Sequence, residues 1–284
     1  MSHRAAAVGF HTGELAVQRQ AGVQDAAARL APMVADGELR AGASAFLAKA
    51  NFAALSARDA AGRLWISPLV GDPGFLQVVS PTRLLIATTP PAADPLRELP
   101  GNQPVGLVVM DFSTRRRLRI NGMLSTADSG ALAIDVDQAY GNCPQYIHPR
   151  QLRRHSGDSQ LNMFHGNVLR PQDIELVHAA DTFFLGTTHP ESGNDASHRG
   201  GPAGFVRVVS GRLSWPDYPG NNMFNSFGNL FSDPTAALLF VDFDSGATLQ
   251  LSGTATLRWD VDATATGRCV VFTPQEVVAS GSLA

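Results

Sequence analysis

Apolar residues near the start of the chain recur at roughly the spacing of one helix face. Leu15, Val17, Val23, Ala26, Leu30 and Val34 predict a helix over Glu14 to Ala35, with Thr12 as its cap and Gly37 as its stop. Ala41 to Ala50 reads as a second, short helix. The pattern then changes to short runs rich in β-branched and aromatic residues: Phe52 to Leu55, Leu64 to Leu69, Phe75 to Val79 and Leu84 to Thr88. Turn clusters separate them, Asp59-Ala60-Ala61-Gly62, Gly71-Asp72-Pro73-Gly74 and Ser80-Pro81-Thr82. Val105 to Phe112 and Leu118 to Leu124 read as a long hairpin with Ser113-Thr114 at its bend. Strands this short and close predict a barrel or sandwich rather than a sheet of βαβ units.

The pattern repeats once, at an offset of about 130 residues. Ala50-x4-Leu55 returns as Ala180-x4-Leu185. Gly74-Phe75-x2-Val78-Val79-Ser80 returns as Gly204-Phe205-x2-Val208-Val209-Ser210. Asp111-Phe112 returns as Asp242-Phe243, and Leu118-x3-Gly122 as Leu249-x3-Gly253. Helical stretches precede each set, Gly42 to Lys49 and Pro171 to His178. The expectation is a mainly β protein with flanking helices. It has a helical segment over 1–41, one split barrel over 42–150, a polar and basic linker over 151–156, and a second barrel over 157–284. Two such barrels in one chain pack like a symmetric dimer, with clefts at the seam between them.

Composition narrows the function. The chain has 284 residues, 44% hydrophobic and 17% charged, with 22 Lys+Arg against 25 Asp+Glu. That balance argues against a nucleic-acid footprint. No apolar run is long enough for a membrane helix, and Met1 to Gly13 contains no secretory h-region. Two cysteines support neither a disulfide framework nor a multi-Cys zinc site, and a reduced cytoplasmic setting is expected. Cys143 reads as a packed thiol near a helix start, Cys269 as strand core. The eight histidines show no metal-ligand spacing. No GxSxG elbow, Walker loop or GxGxxG fingerprint is present, so the chain carries no nucleotide-binding reductase module of its own. Lys49 is the sole lysine, so anions would be held by guanidinium groups, amides or backbone N–H.

Several segments resemble the pyridoxamine 5′-phosphate oxidase-related family, the FMN-binding split barrels, and in particular a bacterial subgroup of it. They are Phe10-His11-Thr12-Gly13-Glu14-Leu15-Ala16-Val17-Gln18, Gly71-Asp72-Pro73-Gly74-Phe75, Asp111 to Gly122, Ala139-Tyr140-Gly141-Asn142-Cys143-Pro144-Gln145-Tyr146-Ile147, and His198-Arg199-Gly200-Gly201-Pro202-Ala203-Gly204-Phe205-Val206. The likeness runs through nearly the whole chain and implies FMN at the seam between barrels. It implies that Arg199, beside His198, occupies the strand position of a phosphate-holding base. The turn after Leu213-Ser214-Trp215 carries Asn221-Asn222 where the family has a basic pair, a departure that removes charge from the phosphate seat. Arg117 and Arg119, on the hairpin strand, resemble the segment that meets the flavin ring; Thr248 and Gln250 are their uncharged counterparts. One competent site, or one strong and one vestigial, is therefore expected.

Two readings of these motifs stay open. Arg115, Arg117 and Arg119 would share one strand face, either as a solvated hairpin tip or as part of an anion seat. The segment Gly220 to Asn229 is either a set of Asn-rich turns capping their own backbone or the start of a helix near Asn222 suited to a phosphate. The family resemblance implies an FMN-dependent oxidoreductase acting on a small molecule, with an external electron donor or NAD(P)H reaching the barrel directly. The alternatives are a non-catalytic flavin- or haem-binding protein and a pseudo-dimer without cofactor. Both a monomer and a homodimer are compatible with this reading.

Overall fold

The computed structural model describes residues 9–35, 37–126, 131–141, 144–150, 163–262 and 264–281. Cys143 and the expected linker over 151–156 lie outside the described residues.

The helix expected from Glu14 to Ala35 is three short ones, α1 (Thr12–Gln20), α2 (Gln24–Ala28) and α3 (Ala31–Val34). Gly22 takes φ +68°, which breaks the ladder after α1. The cap is not Thr12, which is already helical. It is the His11 ring, whose Nδ1 accepts from the backbone N–H of Gly13 and Glu14 at 3.2 and 3.4 Å. Glu14 returns the bond to His11 N at 2.7 Å, closing a capping box. Gly37 stops nothing, since α3 ends at Val34. A Cβ at Gly37 would lie 2.6 Å from the Asp137 carbonyl oxygen, so this glycine serves a close approach.

After α4 (Ala41–Leu47) come β1 (Phe52–Arg58), β2 (Leu64–Val70), β3 (Leu76–Ser80), β4 (Arg83–Ile86), β5 (Pro104–Asp111), β6 (Arg116–Thr126) and β7 (Leu132–Gly141). The rest of the chain holds β8 (Phe164–Gly166), α5 (Pro171–Ala179), β9 (Thr182–His189), β10 (Gly193–Gly200), β11 (Arg207–Val209), β12 (Arg212–Pro216), α6 (Asn225–Ser232), β13 (Thr235–Val241), β14 (Thr248–Arg258) and β15 (Cys269–Ser280). The first sheet runs β2-β1-β5-β6-β7-β4-β3. The second runs β10-β9-β13-β14-β15-β12-β11, the same order shifted by eight strands, with β8 added beside β15.

The matched segments occupy corresponding places. Gly122 and Gly253 both sit at a register shift, where β6 bulges against β7 and β14 against β15. A Cβ at either would collide with the partner strand's carbonyl, of Asp135 and of Thr273 respectively. Gly74 and Gly204 both take positive φ in the turn before β3 and β11.

Each sheet curls around its own core. Leu55, Trp65, Leu76, Leu84, Leu107, Ile120 and Ile134 bring seven strands to one cluster, and Leu185, Leu213, Leu238, Leu251 and Phe272 bring five strands to another in the second half. The outward faces of β1, β2 and β5 pack on those of β9, β10 and β13. Phe52, Ile66, Val108 and Met110 meet Phe184, Ala196, Ala237 and Leu239 in a third apolar cluster. Strands buried on both faces lose the alternation of a half-exposed strand, which explains the unbroken burial along β1 and β2. The molecule is mainly β with flanking helices, two split barrels joined as an intrachain pseudo-dimer. The N-terminal segment crosses to the second barrel, where Val17 joins its core. Cys269 opens β15 half-buried rather than in the core. No helix among the described residues is long and apolar enough to cross a membrane.

Candidate functional site

One cleft at the seam gathers the residues expected to hold the cofactor: Arg117, Arg119, His198, Arg199, Trp215, Asn221 and Asn222. The first half supplies β6, the second supplies β10, the end of β12 and the start of α6. Arg115 is not among them. It lies in the hairpin turn at φ +53°, so only Arg117 and Arg119 share the strand face, while Arg116 stacks over Phe46 on the other. The cleft also takes Tyr146, Phe205, Phe224 and Phe227, which lie in segments quoted above without a role of their own, and Arg268, Asp217 and Tyr218, which sequence reasoning had not marked. Arg268 arrives from a distant turn before β15 and carries no local motif.

The cleft is rich in donors. Arg117 Nη1 lies 3.0 Å from His198 Nδ1. A guanidinium only donates, so Nδ1 accepts and the proton sits on Nε2. Burial, followed by the charges of Arg117, Arg150 and Arg199, holds His198 well below the usual imidazole range, so the ring is neutral. Its Nε2–H is buried without an acceptor, as are Arg119 Nε, Arg199 Nε and Trp215 Nε1. Arg119 is paired with Asp195 at 3.3 Å, and Arg268 with Asp217 at 2.8 Å. Arg199 has no hydrogen bond or ion pair among the described residues and stacks over Phe227, 5.0 Å from the ring centre. Burial, reinforced by the Arg119 charge, lowers its guanidinium to about 10, so it stays charged at neutral pH with no carboxylate in contact.

The Asn-rich segment divides between its two readings. Asn221 Oδ1 accepts from Met223 N at 3.1 Å, an Asx turn capping its own backbone. The helix starts at Asn225, three residues later than expected, because Asn222 and Phe224 take φ +61° and +59°. No side chain caps α6, and its first residues, Asn225, Ser226 and Phe227, line the cleft. Uncapped N–H groups at a helix start favour an anion.

The opposite seam has no such chemistry. Counting from the paired glycines, Thr248 and Gln250 stand where Arg117 and Arg119 do. Counting from Gly71 and Gly201, each of which abuts the phenylalanine four residues on, Leu69 replaces Arg199. Asp94 fills the space. It accepts from Ser67 Oγ at 2.5 Å, Leu96 N at 2.7 Å and Gln250 Nε2 at 2.9 Å. Burial pushes its carboxyl up to about 6. Among the described residues no group of His, Cys, Asp and Glu is arranged to hold a metal ion.

No protein-family profile matches the chain, and no curated protein matches it in sequence. Solved structures with a similar part include a Clostridium acetobutylicum protein related to general stress protein 26 of B. subtilis (pyridoxinephosphate oxidase family). It is 17% identical, matched over 36% of this chain and 81% of that one, with a TM-score of 0.26. General stress protein 26 from Bacillus anthracis is 10% identical over 36% of this chain and 87% of that one, TM-score 0.28. HupZ from Group A Streptococcus is 10% identical over 38% of this chain and 90% of that one, TM-score 0.31. Each is matched over most of its own length by little more than a third of this chain, and these values assign no family.

Proposed function

We propose that the cleft binds FMN, and that the chain is a flavin-dependent oxidoreductase acting on a small molecule, built as a tandem pair of split barrels of the pyridoxamine 5′-phosphate oxidase-related type. One observation carries this reading. Four buried N–H donors without acceptors, on Arg119, His198, Arg199 and Trp215, belong to residues that line a single cleft, which also holds the unpaired charge of Arg199. A buried donor left unmade costs about 1–3 kcal/mol, and more when charged. An acceptor-rich, anionic, planar ligand would answer the Arg199 charge and suit a wall this rich in donors. FMN is one, with a phosphate and a row of carbonyl and ring-nitrogen acceptors.

Arg199 and the uncapped start of α6 would hold the phosphate. Arg117, oriented by His198, would face the acceptor edge of the ring. Tyr218, half-buried in the cleft wall, offers aromatic surface for the ring plane, and Trp215 lies behind it in the barrel core. When bound, the flavin supplies the redox chemistry, and the chain supplies binding, orientation and electrostatics. The electrons would come from an external donor or from NAD(P)H entering the cleft.

Titration of the purified chain with FMN, followed by flavin fluorescence, tests the reading. The expected result is one FMN per chain, with Arg199→Ala weakening binding at least about tenfold, the loss of one charge-assisted hydrogen bond. Arg117→Ala should weaken binding and also lower the flavin potential, because the reduced anionic ring loses a countercharge. FMN that fails to bind, or that binds Arg199→Ala as well as wild type, would overturn the assignment. Bound flavin that NAD(P)H and other reductants cannot bleach would leave a carrier rather than an enzyme.

A further inference from the structure

The seam cleft encloses about 130 Å³. Pockets that bury a drug-sized ligand run from roughly 300 to 1,000 Å³. A phosphate group fits the smaller space and a whole flavin nucleotide does not, so the cleft has to open before FMN can fill it. Its rim shows where. Tyr146, from the first half, lies across the mouth against the second half. Its ring stacks on Tyr218 with centres 5.2 Å apart, and its hydroxyl donates to the Pro219 carbonyl at 3.1 Å. All three residues line the cleft.

The backbone beneath that ring is strained. Ile147 N donates to the Pro144 carbonyl at 3.3 Å, which closes a β-turn, and Tyr146, its third residue, takes φ +65°. This is the type II pattern, whose third position favours Gly or Asn. A bulky side chain at positive φ is a genuine outlier. Among the described aromatic residues only Tyr146 and Phe224 take positive φ, and both line this cleft. The turn has a second form. Rotating the peptide between its second and third residues gives type I, with the third residue near φ −90° and the turn's ends in place. The chain beyond is anchored. Ile147 is buried in the apolar seam, His148 Nε2 donates to the Gly201 carbonyl at 3.0 Å, and Arg150 Nη2 donates to Asp181 at 2.5 Å. A flip of the peptide between Gln145 and Tyr146 therefore moves Tyr146 and leaves those anchors alone. It gives up the stack and the Pro219 bond and regains an ordinary backbone, so the two forms offset one cost against another.

We propose that Tyr146 is the gate of the cleft: a type II to type I flip of the turn from Pro144 to Ile147 swings its ring off Tyr218 and admits the flavin. The inference rests on FMN as the ligand of this cleft. The flip bares the Tyr218 face on which the flavin ring would lie, so the gate and the guest compete for one surface. Association then has two steps, opening followed by binding, and the apparent affinity is reduced by the fraction of molecules that stand open.

Stopped-flow mixing of the full chain with FMN, followed by flavin fluorescence, tests it. In wild type the observed rate should level off as FMN is raised, because opening becomes limiting, and this readout needs no variant to fold. Tyr146→Gly removes the ring and suits positive φ. It should abolish the plateau and bind at least about tenfold faster at high FMN. Tyr146→Phe keeps the ring and loses only the bond to Pro219, so its plateau should lie about fivefold higher, the weight of one neutral hydrogen bond. A wild-type rate that climbs linearly with FMN and matches Tyr146→Gly would overturn the gate and leave FMN as the ligand. Slower or weaker binding by Tyr146→Gly would do the same, making Tyr146 a wall of the site. FMN bound by neither protein would overturn the flavin assignment and the gate together.

Discussion

Two titratable side chains meet at the start of α1 and respond to pH in opposite senses. Burial pushes the Glu14 carboxyl from 4.5 up to about 7. Burial, and then His189, whose ring lies tilted with its centre 4.1 Å away, pushes His11 from 6.5 down to about 4. The geometry agrees with a neutral ring. Nδ1 accepts from the helix backbone, and Nε2 donates to Asn229 Oδ1 at 3.0 Å, an amide whose orientation is fixed by its bond to Thr187. The 3.5 Å approach of His11 Nε2 to Glu14 Oε2 is therefore not an ion pair. A carboxyl whose folded pKa lies above its unfolded one binds more protons in the native state between those values. Its contribution to stability thus falls as pH rises from about 4.5 to about 7, while that of His11 rises from about 4 to about 6.5. Glu14→Gln should remove the falling part. The variant should gain on wild type progressively between about pH 5 and pH 7, by on the order of 3 kcal/mol at most. Denaturant midpoints across that range check this, and a pH-independent offset between the two proteins would count against it.

At the scale of elements, α6 is placed by its crossing with α1. Gly228 admits no side chain, since a Cβ there would lie 2.5 Å from the Glu14 backbone nitrogen, and Gly13 faces Gly228 in the same way. Gly228→Ala should therefore cost about 1–3 kcal/mol of stability by overpacking. It should also weaken FMN binding, because the first turn of the displaced helix lines the cleft. Gly42→Ala is the matched control. Nothing lies within 4 Å of its Cβ position inside α4, and it should be neutral or gain up to about 1 kcal/mol. Thermal melts and flavin titration of the pair separate packing from composition. The same scale shows what the sequence could and could not disclose. β2 and β5 were legible because Val, Ile and Leu dominate them, and β1 through Phe52 and Leu55 beside a turn cluster. β10 was not, because Gly193-Asn194-Asp195-Ala196-Ser197-His198-Arg199-Gly200 has the composition of a loop. Its residues are chosen for the cleft that its end lines, and the strand is held by its full pairing with β9. Local preference gives way where a site is built. The break at Gly22 was misread because the apolar spacing continues across it.

For the whole molecule, the repeated segments disclosed two equivalent sheets, but not what would meet across them. Arg117 and His198 are 81 positions apart, and only the packing of one barrel on the other makes them neighbours. That packing is apolar and continuous, with the Phe52 ring touching those of Phe112, Phe184 and Phe243, and Phe112 touching Phe243. The barrels should not exist apart in water. Expressed as two chains split within 151–156, they should co-elute as one stoichiometric complex on size exclusion, and either alone should aggregate. A monomeric, soluble half would show that the seam contributes little to folding.

The contrast between the Arg117 seam and the Asp94 seam has a consequence for how such a protein can change. Two identical subunits write every substitution twice, so a change that fills one pocket fills its mate and the protein loses both. Here β6 and β14 are separately encoded, as are β2 and β10. Arginine can remain at 117 and 119 while threonine and glutamine stand at 248 and 250. One interface is then free to become pure structure, with a buried carboxyl as its permanent occupant, while the other keeps its arginines and its unmet donors.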